Sequence, residues 1–185
     1  MTKTITPKLD RNVESSANIV LDTTRNRNFI TVPELELLTK ACNKTRHPIR
    51  NQAIIQTMFW HGLRVSELCQ LKSSLPTTHP VRPEVLRTLK RYLKNRDSQL
   101  RTLFINERGD QFDRSSINYL LKMLSKRAGL LFSVNPHMLR HGCGYALANM
   151  GHDTRLIQDF LGHKNIQHTV IYTRTSAKRF EEIWD

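Results

Sequence analysis

Arg64, His137, Arg140, His163 and Tyr172 follow one another in a chain of 185 residues. Together they supply two guanidinium groups, two imidazoles and a phenol. Guanidinium forks are permanently charged and can hold the non-bridging oxygens of a phosphate. An imidazole titrates near neutral pH, and a phenol that loses its proton is a nucleophile. This set can attack a phosphodiester and stabilise the crowded phosphorus that results. Three cysteines, Cys42, Cys69 and Cys143, show no CxxC spacing, which argues against a disulfide framework or a cysteine zinc site and for a reduced, cytoplasmic protein. Lys and Arg total 29 against 16 Asp and Glu, for a formal charge of +13. Such an excess is the electrostatic footprint of a protein that neutralises phosphates.

The elements that must carry these residues are mostly helices. Residues 1–28 are polar, lack a helical stripe and read as a flexible arm that orders on DNA; 29–185 read as one folded domain. No apolar leader opens the chain and no run is long enough to span a bilayer, so no membrane partner is expected. Thr31, Pro33 and Glu34 spell a capping box at a helix start. A second helix is expected over about 48–60, closed by Gly62, and Arg64 opens the next, with Val65, Leu68 and Leu71 at helical spacing. Residues 72–82 read as a loop and 83–95 as a helix. Residues 102–112 read as a short strand and turn around Gly109, and 115–128 as a helix capped by serines. Asn135 followed by Pro136 should cap a helix reaching about Met150. His137 and Arg140, at i and i+3, then share one face at its N-terminal end, where unpaired amides favour an anion. His163 falls in the turn after Gly162, and Asn165 caps a short helix bearing Tyr172.

Four boxes carry a resemblance. They are His61-Gly-Leu-Arg64-Val-Ser-Glu67-Leu, His137-Met-Leu-Arg140-His141, Leu161-Gly-His163, and Tyr172 nine residues beyond that histidine. In order and spacing the chain resembles the tyrosine recombinases, or phage-type integrases. Its stretches TTHP, PHMLRHGCGYALANMG, DTRLIQDFLGH and FEEIWD are similar to the short fimbrial phase-variation invertases. The resemblance implies a mainly α (α+β) catalytic domain, a helical core with a reduced or missing small antiparallel sheet. It implies that Tyr172 attacks the scissile phosphate to form a 3′-phosphotyrosine, conserving bond energy so that no nucleotide cofactor or metal is needed. Arg64 and Arg140 would hold the phosphate, His137 would accept the phenol proton, His163 would donate to the phosphate, and Glu67 would orient Arg64. The implied partners are double-stranded DNA with inverted-repeat sites, a homotetramer on synapsed DNA and accessory DNA-bending proteins, on the nucleoid. Phe180, Ile183 and Trp184 would fill either a neighbouring subunit's pocket or the chain's own core.

One part of the family pattern is missing. Members carry a β-hairpin between the first arginine box and the HxxRH box, with a lysine in its turn that protonates the leaving 5′-oxygen. Here Leu71 and Lys72 pass through Ser-Ser-Leu into TTHP, and the two strands are absent. Lys72 is the nearest candidate acid, although it lies where a helix ends. Either Lys72 or a neighbour reaches the leaving group, or the protein is a cleavage-impaired relative that occupies its sites as a DNA-binding regulator. His137 and His141 also have the i, i+4 spacing of a zinc pair, but Met-Leu-Arg replaces the glutamate of a metalloprotease and Arg140 would repel the ion. A tyrosine-type topoisomerase would share the chemistry but needs a larger clamp.

Overall fold

A computed structural model describes residues 27–73 and 79–174. Eight α-helices occupy most of that span: α1 (Val32–Ala41), α2 (Pro48–Trp60), α3 (Val65–Gln70), α4 (Pro83–Lys94), α5 (Arg114–Arg127), α6 (Pro136–Asn149), α7 (Thr154–Leu161) and α8 (Gln167–Thr173). A 3-10 turn, Cys42–Lys44, follows α1. The central element is α2, which packs against α1, α4 and α6. Its Ala53, Ile54, Ile55, Met58 and Phe59 are all enclosed, as expected of a helix apolar nearly all round. By contrast α4 turns Val85, Thr88 and Tyr92 inward and leaves Arg87, Lys90, Arg91 and Lys94 exposed. The buried side chains form two clusters. The larger runs through α1, α2, α5 and the start of α6, and the smaller comprises Cys143, Ala148, Ile157, Leu161 and Tyr172.

Local chemistry explains most boundaries. Thr31 and Glu34 form the expected capping box. Asn135 caps α6 through a bond from the Met138 amide, 3.1 Å long, and Pro136 takes the first helical position. Asp153 caps α7, and Gly162 ends it in the left-handed region at φ 65°. The Asn165 side chain accepts from the Gln167 amide at the start of α8. One cap differs from expectation: Asp113, not a serine, opens α5 by accepting from Ser116. A carboxylate there also complements the helix dipole, which a hydroxyl does less well.

The strand expected over 102–112 is reduced to bridges. Ile105 pairs with Gln111 across a turn at Asn106 to Asp110, and Lys72 pairs with Thr102. The Ser73 amide bonds the Arg101 carbonyl and the Leu103 amide bonds that of Leu71, so two extended pieces meet over a single residue pair. No longer ladder occurs among the described residues. At the start of the described chain Arg27 is tied to Glu34 and lies over the rings of Phe29 and Phe132, so it already belongs to the fold. Phe180, Ile183 and Trp184 lie outside the described residues, as does most of the expected arm.

Candidate active site

Two chain corners and two helices build the site. The corner after α2 turns at Gly62, whose φ of 56° suits glycine, and delivers Arg64 at the cap of α3. Arg64 donates to Glu67 through its backbone amide and its guanidinium, each at 2.7 Å. Burial alone would raise the Glu67 pKa, but these bonds outweigh it and leave the carboxylate below its usual range. Glu67 therefore stands where an orienting partner for Arg64 should, with the arginine half-exposed.

Arg140, only 6% exposed, lies behind it. Its two terminal nitrogens donate to the carbonyls of Gly62 and Leu161, which belong to the corners carrying Arg64 and His163. One guanidinium thus pins two site-bearing loops in register and keeps further N–H donors for a ligand, because the fork carries five. Burial, then the nearby Arg64 charge, pulls its pKa down, while Glu67 and Tyr172 oppose this. The group remains cationic at neutral pH.

His163 is held by its own backbone and by its ring. Its amide bonds the Gln158 carbonyl at 3.0 Å, its carbonyl accepts from the Gln158 side chain, and Nδ1 meets the Thr169 hydroxyl at 2.9 Å. Burial, with Arg140 and His168 adding repulsion, pushes its pKa down to about 4. The ring is neutral at pH 7, and if Thr169 donates to Nδ1 the Nε2–H is left to donate outward.

Tyr172 is fully enclosed, with 0% exposure. Its ring lies against α6 at Gly144, where an added Cβ would come within 2.5 Å of Cε2, and Tyr145 packs edge-on at 5.0 Å. Its hydroxyl meets Nδ1 of His141 at 2.7 Å. Burial drives the phenol up to about 12, although the Arg140 charge acts in the opposite direction.

The structure thus brings together Arg64, Glu67, Arg140, His163 and Tyr172, but it separates two other candidates from that picture. His137 is exposed at the start of α6, and the imidazole on the phenol is that of His141 one turn later. Lys72 is exposed in its bridge with Thr102, a position set by extended pairing and not by a hairpin turn. The sequence marked His141 only as the end of the HxxRH box and as a possible zinc partner of His137, although it sits three residues before a glycine on which an aromatic ring can rest. The carbonyls of Gly62 and Leu161 left no trace in the residue types. Among the described residues no group of three His, Cys, Asp or Glu could hold a metal ion, and no helix is long and apolar enough to cross a membrane.

Comparison with known proteins agrees with this geometry. The model of the phage integrase family matches residues 28–179. The type 1 fimbriae regulatory protein FimB of Escherichia coli strain K12 is 41% identical over 182 residues, covering 87% of this chain and 91% of that protein. FimE of the same strain is 33% identical over 86% of this chain and 91% of its own length. Since 87% of 185 residues is about 161, about 20 of the 182 positions aligned with FimB face no residue here. The crystal structure of the XerA recombinase superposes with a TM-score of 0.71 at 29% identity, over 81% of this chain and 59% of that one. XerH, in a post-cleavage complex with a palindromic difH substrate, gives 0.68 at 25% identity over 83% of this chain and 51% of that one. The expected helical catalytic domain with little or no sheet is the one observed. The chain belongs to the phage integrase family and is a tyrosine-type site-specific DNA recombinase.

Proposed function

We propose that the protein inverts a DNA segment between inverted repeats and so switches a promoter for fimbriae or another surface structure, with Tyr172 as its nucleophile. The observation that carries this is the convergence of Arg64, Arg140, His163 and Tyr172 on one point, in a chain 41% identical to a fimbrial regulatory protein. Arg64 and Arg140 bind the two non-bridging oxygens and stabilise the charge of the pentacoordinate phosphorus, in place of metal ions. Neutral His163 donates to the same phosphate, and exposed His137 borders it from the N-terminus of α6. Residues 27–185 serve as the catalytic domain, with Arg27 tied to Glu34, and the residues before them as an arm that orders on DNA. Four protomers synapse two sites in the cytoplasm, on nucleoid DNA bent by accessory proteins.

A second reading has its own observation. The roughly 20 FimB positions that face no residue here are about as many as a hairpin holds, and among the described residues Lys72 pairs with Thr102 alone in an isolated bridge. A protein without an assured proton donor for the 5′-oxygen binds its sites and regulates while cutting slowly. A nicked suicide duplex carrying the inverted repeat that the protein selects from a randomised pool distinguishes the two. The recombinase reading expects covalent protein-DNA adducts on a denaturing gel, and none with Tyr172→Phe. Shifted DNA without any adduct from the unaltered protein supports the regulator and ends the cleavage assignment.

A further inference from the structure

We propose that His141, the closing histidine of the HxxRH box, holds the Tyr172 hydroxyl for attack and takes up its proton. The proposal rests on Tyr172 being the nucleophile. His141 Nδ1 lies 2.7 Å from the hydroxyl, and the two rings stand 5.8 Å apart at 57°, so the contact is through the polar atoms and not a stack. The contact is built by both helices. Gly144, on the next turn of α6, leaves no side chain between the helix and the phenol ring, and Tyr145 closes its edge.

Enclosure makes a neighbouring base necessary. A phenol with 0% exposure cannot hand its proton to bulk water or hydroxide, so the proton must pass first to a group already in contact. A phenol also needs a base near its own site to ionise at neutral pH, and burial makes this one harder to ionise than usual. His137, exposed a turn earlier, makes the weaker candidate in this arrangement. The groups that face His141 are His137 and Arg140 from α6, His163 from the turn after α7, and Tyr172 from α8, while Arg64 and Glu67 flank Arg140. Burial first, then His137 and Arg140, lowers the His141 pKa. A neutral imidazole with a free Nδ1 lone pair is therefore the form present at pH 7, with its proton on Nε2.

In the step itself the bond between Tyr172 Oη and phosphorus forms as the bond from phosphorus to the 5′-oxygen breaks. The phenol proton moves to His141 Nδ1. The 5′-oxygen leaves with the electron pair of the broken bond and takes a proton from water. Religation reverses the sequence, and the imidazolium returns its proton to the departing phenolate.

Single-turnover adduct formation on the nicked duplex, followed from pH 5 to pH 10, tests this. In the unaltered protein the rate is expected to rise through the imidazole titration and level off near neutrality. In His141→Asn it is expected to fall about 100-fold or more at pH 7, the usual worth of a positioned base, and to climb with pH without levelling. Retention of both the rate and the plateau in His141→Asn overturns the proposal and leaves Tyr172 as nucleophile intact. Absence of adducts from the unaltered protein instead overturns the nucleophile assignment and the transfer step with it. A fold-independent check is the 15N resonance of His141 Nδ1, expected to shift on Tyr172→Phe; an unchanged resonance in a variant with native melting disproves the contact.

Discussion

Replacing Gly144 by alanine sets two effects against each other beside Tyr172. Alanine in a helix interior is favoured over glycine by about 1 kcal/mol. The new Cβ, however, would stand 2.5, 2.6 and 2.7 Å from three carbons of the Tyr172 ring. Ordinary carbon contacts lie near 3.5–4.0 Å, so the ring must retreat by about 1 Å. It has nowhere to go without moving Cys143, Ala148, Ile157 and Leu161, and overpacking of this kind costs about 1–3 kcal/mol. The net expectation is a loss of about 0–2 kcal/mol by urea titration. The same displacement breaks the bond to His141, and a misplacement of about 1 Å costs on the order of 100-fold in rate. A second background isolates the cause. In Tyr172→Leu, which lacks the ring atoms in question, Gly144→Ala should instead stabilise the fold by about 1 kcal/mol. Equal effects of Gly144→Ala in both backgrounds, or a Gly144→Ala single variant that cleaves at the normal rate, would refute the packing account.

Arg140→Ala should reduce adduct formation at least about 100-fold and also destabilise the fold by several kcal/mol, because the Gly62 and Leu161 carbonyls lose their donor at about 1–3 kcal/mol each; a purely catalytic loss with unchanged melting would show that the guanidinium does not pin the loops. Asn135→Ala should lower stability by about 1 kcal/mol through the lost cap on Met138, read as a shifted urea midpoint with unchanged slope. The pH dependence follows from His163. Its folded pKa is depressed to about 4 while the unfolded chain titrates near the usual histidine value, so the unfolded state binds more protons between the two. Stability from this group is therefore present above the unfolded pKa and lost as pH falls toward 4. His163→Gln should flatten that part of the stability profile, and an unaltered slope between pH 6.5 and 4 would count against the shift.

Much of this arrangement could be read from residue types. The Thr31 to Glu34 box, the Asn135 and Pro136 start and the Gly162 stop are local signals, fixed by hydrogen bonds within a few residues, and such signals put Arg140 on α6 and His163 in the turn after α7. What escaped the sequence depends on long-range contact. A serine run looks like a cap, yet Asp113 two positions before it makes the capping bond. The Leu103 and Phe104 stretch has strand composition, but a strand requires a partner of matching length, and one residue pair does not make a ladder. The choice between His137 and His141 as neighbour of the phenol was set by how α8 lies across α6, which no spacing within α6 reveals.

The smaller buried cluster has Tyr172 as its largest member. The oxygen proposed as nucleophile is therefore attached to a ring whose removal would empty a core, and an enclosed hydroxyl cannot meet DNA until its cover opens. If Tyr172 is the nucleophile, protomers in free solution are expected to be silent toward stray phosphodiesters. With Tyr172 as the proposed nucleophile, the fraction able to cut is the fraction in which the cover over its hydroxyl has opened while α8 still rests on α6 at His141, a local opening with its own equilibrium constant. Any DNA architecture or neighbouring subunit that prefers the opened form would raise that fraction by the ratio of its two affinities, so on this proposal assembly on DNA would arm the protein.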